Sequence, residues 1–465
     1  MTPKEYFEQH KDRFYSELAD FVRIKSISTD EQFKPEIRNA VEWLKTKLAE
    51  MGLDDVKEIL PEDRPNGYPV VVGHKEFDPS LKTLLVYGHY DVQPPEPLEQ
   101  WTSDPFEPEI RDGAMYGRGT TDNKGQLLTN LAGLEYYLKH GEEGKRRFNI
   151  KVFFEGEEEI SGATTEVIVA SKKFDKEVAA DYVYISDGPW ATFDAPSIEY
   201  ASRGLAYFDL HIKNSDSDMH SGIYGNAVMN PANVASYIVY KLKDIKKNRV
   251  RVPGFYKTVR KPGEEEIDAL NSVSPSWEQI RHETTARTVS PYIRKGKSFS
   301  ALAVTGLRPS FDVHGMESGF TQWGGAKTII PSKASVKFSF RLVPYQEPDH
   351  IAELVRKYIA KIMPKGIEWD LQFLNHAKPY ITDPNDPEIK RLSVAFEKGF
   401  GKKSVLTATG GTIGIVNTFK EAYGATTLLA NLGFPDDRLH APNEKYNLSQ
   451  FEGGYYTFLA FALED

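Results

Sequence analysis

Several short stretches of this sequence set acids and imidazoles where apolar runs end. His89 and Asp91 follow "LLVYG", Asp122 sits in "YGRGTTDNKG", and Glu157, Glu158 and Glu159 follow "KVFFEG". Asp187 follows "VYIS", and His440 lies in "PDDRLHAPNEKYN", beyond "ATTLLANLGF". Taken singly, each has a plain explanation. A histidine after a strand is usually structural, Asp122 would cap a helix, Asp187-Gly188-Pro189 reads as a turn, and an acid run reads as a solvated loop. Taken jointly, their number and type suit two adjacent divalent ions that share one carboxylate and leave room for a water. Ions so placed lower the pKa of water, and a neighbouring free carboxylate can take its proton.

The elements around them form a layered frame. "PEIRNAVEWLKTKLAEMGL" has Val41, Leu44, Leu48 and Met51 at helical spacing, with Gly52 to stop it. "LKTLLVYGH", "FNIKVFF" and "DYVYIS" are short apolar runs of the kind buried on both faces of a parallel sheet. "DNKGQLLTNLAGLEYYLKH" carries a leucine stripe, with Asp122 or Asn123 near its start and Gly141 after its end. Such alternation implies an α/β catalytic domain with a mostly parallel mixed sheet flanked by helices. Parallel strands deliver side chains to a crevice beyond their carboxyl ends, which is where the acids and histidines fall.

After Arg203 the rhythm changes. Alternating "LAYFDLHIKN", helical "NPANVASYIVYKLKDI", strands at "FSALAVTGL" and "SVKFSFRLVP", helical "PDHIAELVRKYIAKIM" and the strand "GIEWDLQFLN" give a β-α-β-β-α-β order. This predicts an inserted α+β two-layer domain over residues 206–379, within a discontinuous catalytic domain of residues 1–205 and 380–465.

With 465 residues, two domains are the default. The formal charge of −9 and the lack of a basic stripe interleaved with aromatics argue against nucleic acid as a partner. The densest basic run, "KLKDIKKNRVR" at Lys241–Arg251, reads as a solvated helix end and loop. There is no cysteine, so neither disulfides nor thiolate ligands arise, and Zn, Mn or Co would rest on His, Asp and Glu. No run approaches a membrane span, and the charged start lacks an apolar signal core, so a cytoplasmic protein is expected.

The stretches "GHYDVQP", "GRGTTDNKG", "EGEEEISG", "ISDGPW", "DMHSGIYG", "AKTIIPSKASVKFSFRLVP" and "LHAPNE" occur in an order that resembles the carnosinase-like dipeptidases. These belong to a di-zinc metallopeptidase superfamily that also holds aminoacylases, carboxypeptidase G and succinyl-diaminopimelate desuccinylase. The resemblance implies that His89 and Asp187 hold one metal, Glu159 and His440 the other, and Asp122 both, with a cis peptide after Asp122. It implies that Asp91 orients His89. It makes Glu158 the general base and Glu157 a spare; a register one residue earlier would give Glu157 and Glu158 the two roles instead. It also implies a homodimer in which His220 reaches the partner's active site to stabilise the oxyanion. Arg341 would clamp the substrate carboxylate, with Thr328, His376, Gly410, Gly411 and Thr412 around the same end. Where carnosinase-type chains usually have Arg-Glu before the two glycines, this chain has Ala408 and Thr409, which leaves recognition of a substrate amine open.

The expected activity is therefore a two-metal amide hydrolase, a dipeptidase acting on small peptides with a free C-terminal carboxylate. The alternatives are an N-acyl-amino-acid amidohydrolase of the aminoacylase or desuccinylase type and, in another class, a catalytically silent metal-binding dimerisation protein. A nucleotide-dependent transferase would rest only on "LTATGGTIGIVN", which lacks the lysine of a P-loop.

Overall fold

The computed structural model describes residues 1–465 apart from 143, 161, 290–291, 295–296, 323, 411–413 and 465. It divides into two compact units: Met1–Tyr200, Thr382–Thr407 and Gly414–Asp465 form the first, and Ala201–Ile381 and Ala408–Ile413 the second.

The first unit contains α1 (Pro3–Arg23), α2 (Lys34–Met51), β1 (Asp54–Ile59), β2 (Val70–Lys75), β3 (Lys82–His89) and α3 (Lys124–His140). β4 (Phe148–Glu155), α4 (Ala163–Ala170), β5 (Tyr182–Ile185) and β6 (Ser197–Ser202) follow. Its sheet runs β1-β2-β4-β3-β5, then a strand at Thr426–Ala430, then β6. The four central strands are parallel, and the flanking pairs are antiparallel. The parallel strands are apolar along their length because helices cover both faces; Leu84, Leu85, Val86, Val152, Phe153 and Ile185 are all buried. The leucine-rich α3 is buried on nearly every side of its first 14 residues, Lys124–Tyr137. α2 ends at Gly52, whose φ of +93° supplies the left-handed turn after the last helical residue.

The second unit is a four-stranded antiparallel sheet with helices on one face. In chain order it holds β7 (Gly204–Lys213), α5 (Pro231–Leu242), α6 (Ala301–Leu307), β8 (Ser310–Ser318), β9 (Lys333–Leu342), α7 (Pro348–Ile362) and β10 (Glu368–Ala377). The strand order is β8-β9-β7-β10. Phe208, Leu210, Phe338 and Phe340 form its core with Val234 and Ile238 of α5 and Ile351, Val355 and Ile359 of α7.

Two expectations need correction here. "FSALAVTGL" is not a strand: Ala301–Leu307 is helical, with Ser300 capping it by accepting the Ala303 N–H, and small Ala303 and Gly306 buried. The missing strand is β8, "SFDVHGMES", an edge strand whose residues from Asp312 to Glu317 are exposed, so no alternation of burial marks it. The basic run after α5 is not a plain loop either; Lys243–Asp244 and Arg249–Val250 pair as a short hairpin.

After the second unit the chain adds the helices α8 (Pro387–Phe400), α9 (Gly414–Tyr423) and α10 (Leu448–Ala462), with β11 (Thr426–Ala430) between the last two.

Candidate metal centre

The carboxyl ends of β3, β4 and β5 lie side by side, since His89 is in register with Glu155 and Tyr87 with Ile185. His89 is the last residue of β3, Asp187 stands two residues beyond β5, and Asp122 precedes α3. The Asp122–Asn123 peptide is cis. His89 Nε2 lies 3.1 Å from Asp122 Oδ1 and 3.6 Å from Asp187 Oδ1. His440 Nε2 lies 2.9 Å from Asp122 Oδ2 and 3.2 Å from Glu159 Oε2. Two overlapping groups result, His89-Asp122-Asp187 and Asp122-Glu159-His440, each with its ligand atoms within 4.8 Å of one another. Asp122 belongs to both.

The charge balance of this cluster fits cations. Burial opposes a charge on His89, but Asp187, Asp122 and Asp91 outweigh it and raise the imidazole well above its ordinary value. Bonds to Asp122 and Glu159 push His440 up to about 10. Burial opposes ionisation of Asp122, and the two imidazoles more than reverse this, holding its carboxyl below the usual range. The acids around the two imidazoles thus favour positive charge at this place, which is what divalent ions bring. One lone-pair site also stands open: Glu159 Oε1 is buried and has no hydrogen-bond partner. An all-oxygen-and-nitrogen donor set of this kind fits Zn, Mn or Co.

The chain belongs to peptidase family M20/M25/M40. Residues 85–464 match that family. The chain is 30% identical to the Cys-Gly metallodipeptidase DUG1 of Saccharomyces cerevisiae, over 97% of this chain and 95% of that one. It is 30% identical to the human Beta-Ala-His dipeptidase, over 99% of this chain and 91% of the other. Among solved structures, the di-peptidase Dug1p of Saccharomyces cerevisiae superposes with a TM-score of 0.75 at 30% identity, covering 98% of this chain and 96% of that one. The M20 family metallo-carboxypeptidase Sso-CP2 of Sulfolobus solfataricus gives 0.78 at 28% identity, covering 97% and 98%. This M20-family chain is accordingly a metallopeptidase, a hydrolase by class.

The three glutamates after β4 have different surroundings. Gly156 precedes them because the Tyr90 ring packs where a side chain would project: an added Cβ would lie 2.3 Å from the Tyr90 hydroxyl oxygen. Glu158 and Glu159 are half-buried and turn toward the cluster; their backbone N–H groups donate to the Asp91 carboxylate at 3.3 and 3.1 Å. Asp91 also meets His89 Nδ1, through its backbone carbonyl at 3.1 Å and its carboxylate Oδ1 at 3.4 Å, so this one buried residue faces the imidazole and both amides. Burial, reinforced by the Asp187, Asp122 and Glu159 charges, pushes the Glu158 carboxyl well above its ordinary value. Glu157 points the other way. It is buried and accepts the backbone N–H groups of Tyr68 and Thr164, both at 2.8 Å, with Arg64 at 3.4 Å. Glu157 thus belongs to neither ligand group, and it has a structural part that the sequence did not show: it staples the loop to its neighbours.

Two further side chains were not singled out from sequence. Asn123, read only as a helix cap, makes no cap bond; its amide donates to Asp187 Oδ1 at 2.9 Å and its oxygen accepts the His89 N–H at 3.3 Å. Gln93 of "GHYDVQP" donates to Glu159 Oε2 at 2.8 Å. Nothing local in the sequence marks either, because their partners are distant in the chain.

Within the second unit, His220 and Thr328 lie together: His220 pairs with Ile329, and Ser221 N–H donates to the Thr328 carbonyl at 3.1 Å. Both residues are exposed. His220 Nδ1 accepts the Gly222 N–H at 3.0 Å, which leaves the proton on Nε2 and available for donation. Arg341 and His376 sit on strands either side of β7, opposite Leu205 and Ala206. The Arg203 guanidinium is pushed down to about 10, first by burial and then by the charge of Arg341. Gly410 lies against Arg203. Gly411 and Thr412 fall outside the described residues.

Proposed function

We propose that this chain is a two-metal dipeptidase that cleaves dipeptides with a free C-terminal carboxylate. The observation that carries the reading is the pair of three-residue groups sharing Asp122, with Glu158 beside them. In this reading His89 and Asp187 hold one ion, Glu159 and His440 the other, and Asp122 both, with zinc the native metal and manganese or cobalt the substitutes. Bound divalent ions supply Lewis acidity toward water and the scissile carbonyl.

The chain's own residues do the rest. Glu158 takes the proton of the attacking water and returns it to the leaving amine as the C–N bond breaks. Asp91 holds the His89 ring and the Glu158 and Glu159 backbone in place. His220 donates its Nε2 proton to the carbonyl oxygen as charge develops there. Arg341 binds the terminal carboxylate, helped by Thr328, His376, Gly411 and Thr412; the neighbouring Arg203 charge adds to the positive field at Arg341. A homodimer, in which the partner's copy of His220 completes each site, and a cytoplasmic location belong to the same reading. Exposed Ile223, Tyr224, Met229, Tyr237, Tyr240 and Ile245 on and beside α5 support self-association. Sedimentation and cell fractionation check these two points.

Glu158→Gln tests the assignment. The variant should retain two metals and lose hydrolysis by at least about a thousandfold, in line with the loss of a general base; full activity would sink it.

A second reading has one observation behind it. Ala408 and Thr409 precede Gly410 where carnosinase-type chains usually have Arg-Glu, so no acid stands there to meet a substrate amine. An N-acyl amino acid is the substrate this favours. Parallel assays with dipeptides and their N-acetylated forms separate the two.

A further inference from the structure

Glu444 lies four residues beyond His440, in "HAPNE", and none of the chemistry above uses it. It is fully buried. Its two carboxylate oxygens accept four bonds. Oε1 accepts the backbone N–H groups of Thr121 at 2.9 Å and of Asp122 at 3.0 Å. Oε2 accepts the Gly119 N–H at 3.0 Å and the Arg118 guanidinium at 2.6 Å. One side chain therefore pins the whole turn that presents Asp122.

The same segment is tied to that turn at other points. The Gly117 N–H donates to the Glu444 carbonyl at 3.0 Å, and the Thr121 hydroxyl donates to the Lys445 carbonyl at 2.5 Å. Lys445–Asn447 also pairs with Ala114–Tyr116. The segment carries His440, which is held at φ +58°, as Arg438 is at +59° and Asn443 at +62°. Such left-handed non-glycine backbone persists only where surrounding bonds over-determine it. Glu444 thus joins two separate pieces of the centre, the turn that bears the shared carboxylate and the loop that bears His440.

We infer that Glu444 is a positioning residue for the metal centre: it sets the Asp122 backbone so that the one shared carboxylate faces both ligand groups. Asp122 Oδ1 and Oδ2 lie 3.1 and 2.9 Å from His89 and His440 respectively, so a small rotation of the turn would spoil both groups at once. A buried charge that met only Arg118 would need one bond. The three backbone bonds specify the orientation of the turn, which is what outer residues of metal sites do.

The inference rests on the metal reading of the site, and the test separates the two. Metal-free protein is titrated with Zn²⁺ against a chromophoric chelator, and circular dichroism of the metal-free form monitors the fold. Wild type should take up two ions per chain. Glu444→Gln puts an N–H₂ group against backbone donors and should weaken ion binding about 10- to 100-fold. Glu444→Asp keeps the charge beside Arg118 but withdraws the oxygens from Thr121 and Asp122. It guards against a Gln variant that fails to fold, and it should lose affinity similarly. A wild-type protein that binds no ion would overturn the metal reading and this inference with it. A wild type with two ions, and folded variants that bind both equally well, would overturn this inference alone; a lowered melting temperature with unchanged affinity counts the same way.

Discussion

The ligand cluster of the first unit and the polar residues of the second are built to different standards. In the first, most groups are gripped from behind, Asp91 by the Glu158 and Glu159 amides, Asp187 by Asn123 and Glu159 by Gln93, while His440 is exposed. In the second, His220, Thr328 and His376 stand exposed, and Arg341 is half-buried on a strand. The difference teaches what each must do. Side chains that hold ions have to be right before any ligand arrives, so His89, Asp187 and Glu159 follow the ends of parallel strands, and the Asp122 turn is pinned by Glu444. Side chains that meet a variable substrate can be ordered by it.

The largest effect should come from the shared carboxylate. Asp122→Ala should reduce the metal content from two ions to less than one and abolish hydrolysis, because both groups lose a member; metal analysis after dialysis checks it. If one ion survives at full affinity, Asp122 serves a single site and the contrast weakens. Next comes the second unit. His220→Ala should keep both ions and lower kcat about 10²- to 10³-fold, as loss of an oxyanion donor does. Unchanged kcat would leave His220 with its backbone bond to Gly222 and nothing more.

Glu157→Gln sharpens the comparison inside the acid run. It replaces one of the two accepting oxygens by an N–H₂ group, so one buried N–H loses its acceptor, and it should cost about 1–3 kcal/mol in urea unfolding while retaining most activity. An inactive but fully stable variant would instead make Glu157 the base.

The smallest effect is a slope. Burial pushes the Glu155 carboxyl from 4.5 up to about 7, against the bonds it receives from Tyr87 and Thr165. A raised folded-state value means the folded chain keeps a proton that the unfolded chain releases. Its contribution is therefore most favourable below pH 4.5 and declines as pH rises to about 7. Glu155→Gln carries no such proton, so its stability relative to wild type should rise between pH 5 and 7.5. A pH-independent difference would show that Glu155 ionises normally.

Much of this was legible in the sequence because local order carries it. Apolar runs such as "LLVYG" and "VYIS" mark strands buried on both faces, and a strand's end is where its next polar residue meets the crevice; His89 and Asp187 follow directly. The helix stripe of Leu127, Leu131 and Leu134 likewise encodes α3. Those features depend on neighbours within a turn or a pleat. What only the tertiary structure decided depends on partners far away. Glu157 turns inward because Tyr68, 89 residues earlier, offers its N–H. β8 is a strand because β9 supplies its bonds, although its own side chains are mostly exposed. Glu444 faces the Asp122 turn across 322 residues of chain. Residue type and spacing determined which groups could hold ions; the long-range hydrogen bonds, which no local period encodes, decided which way each carboxylate points.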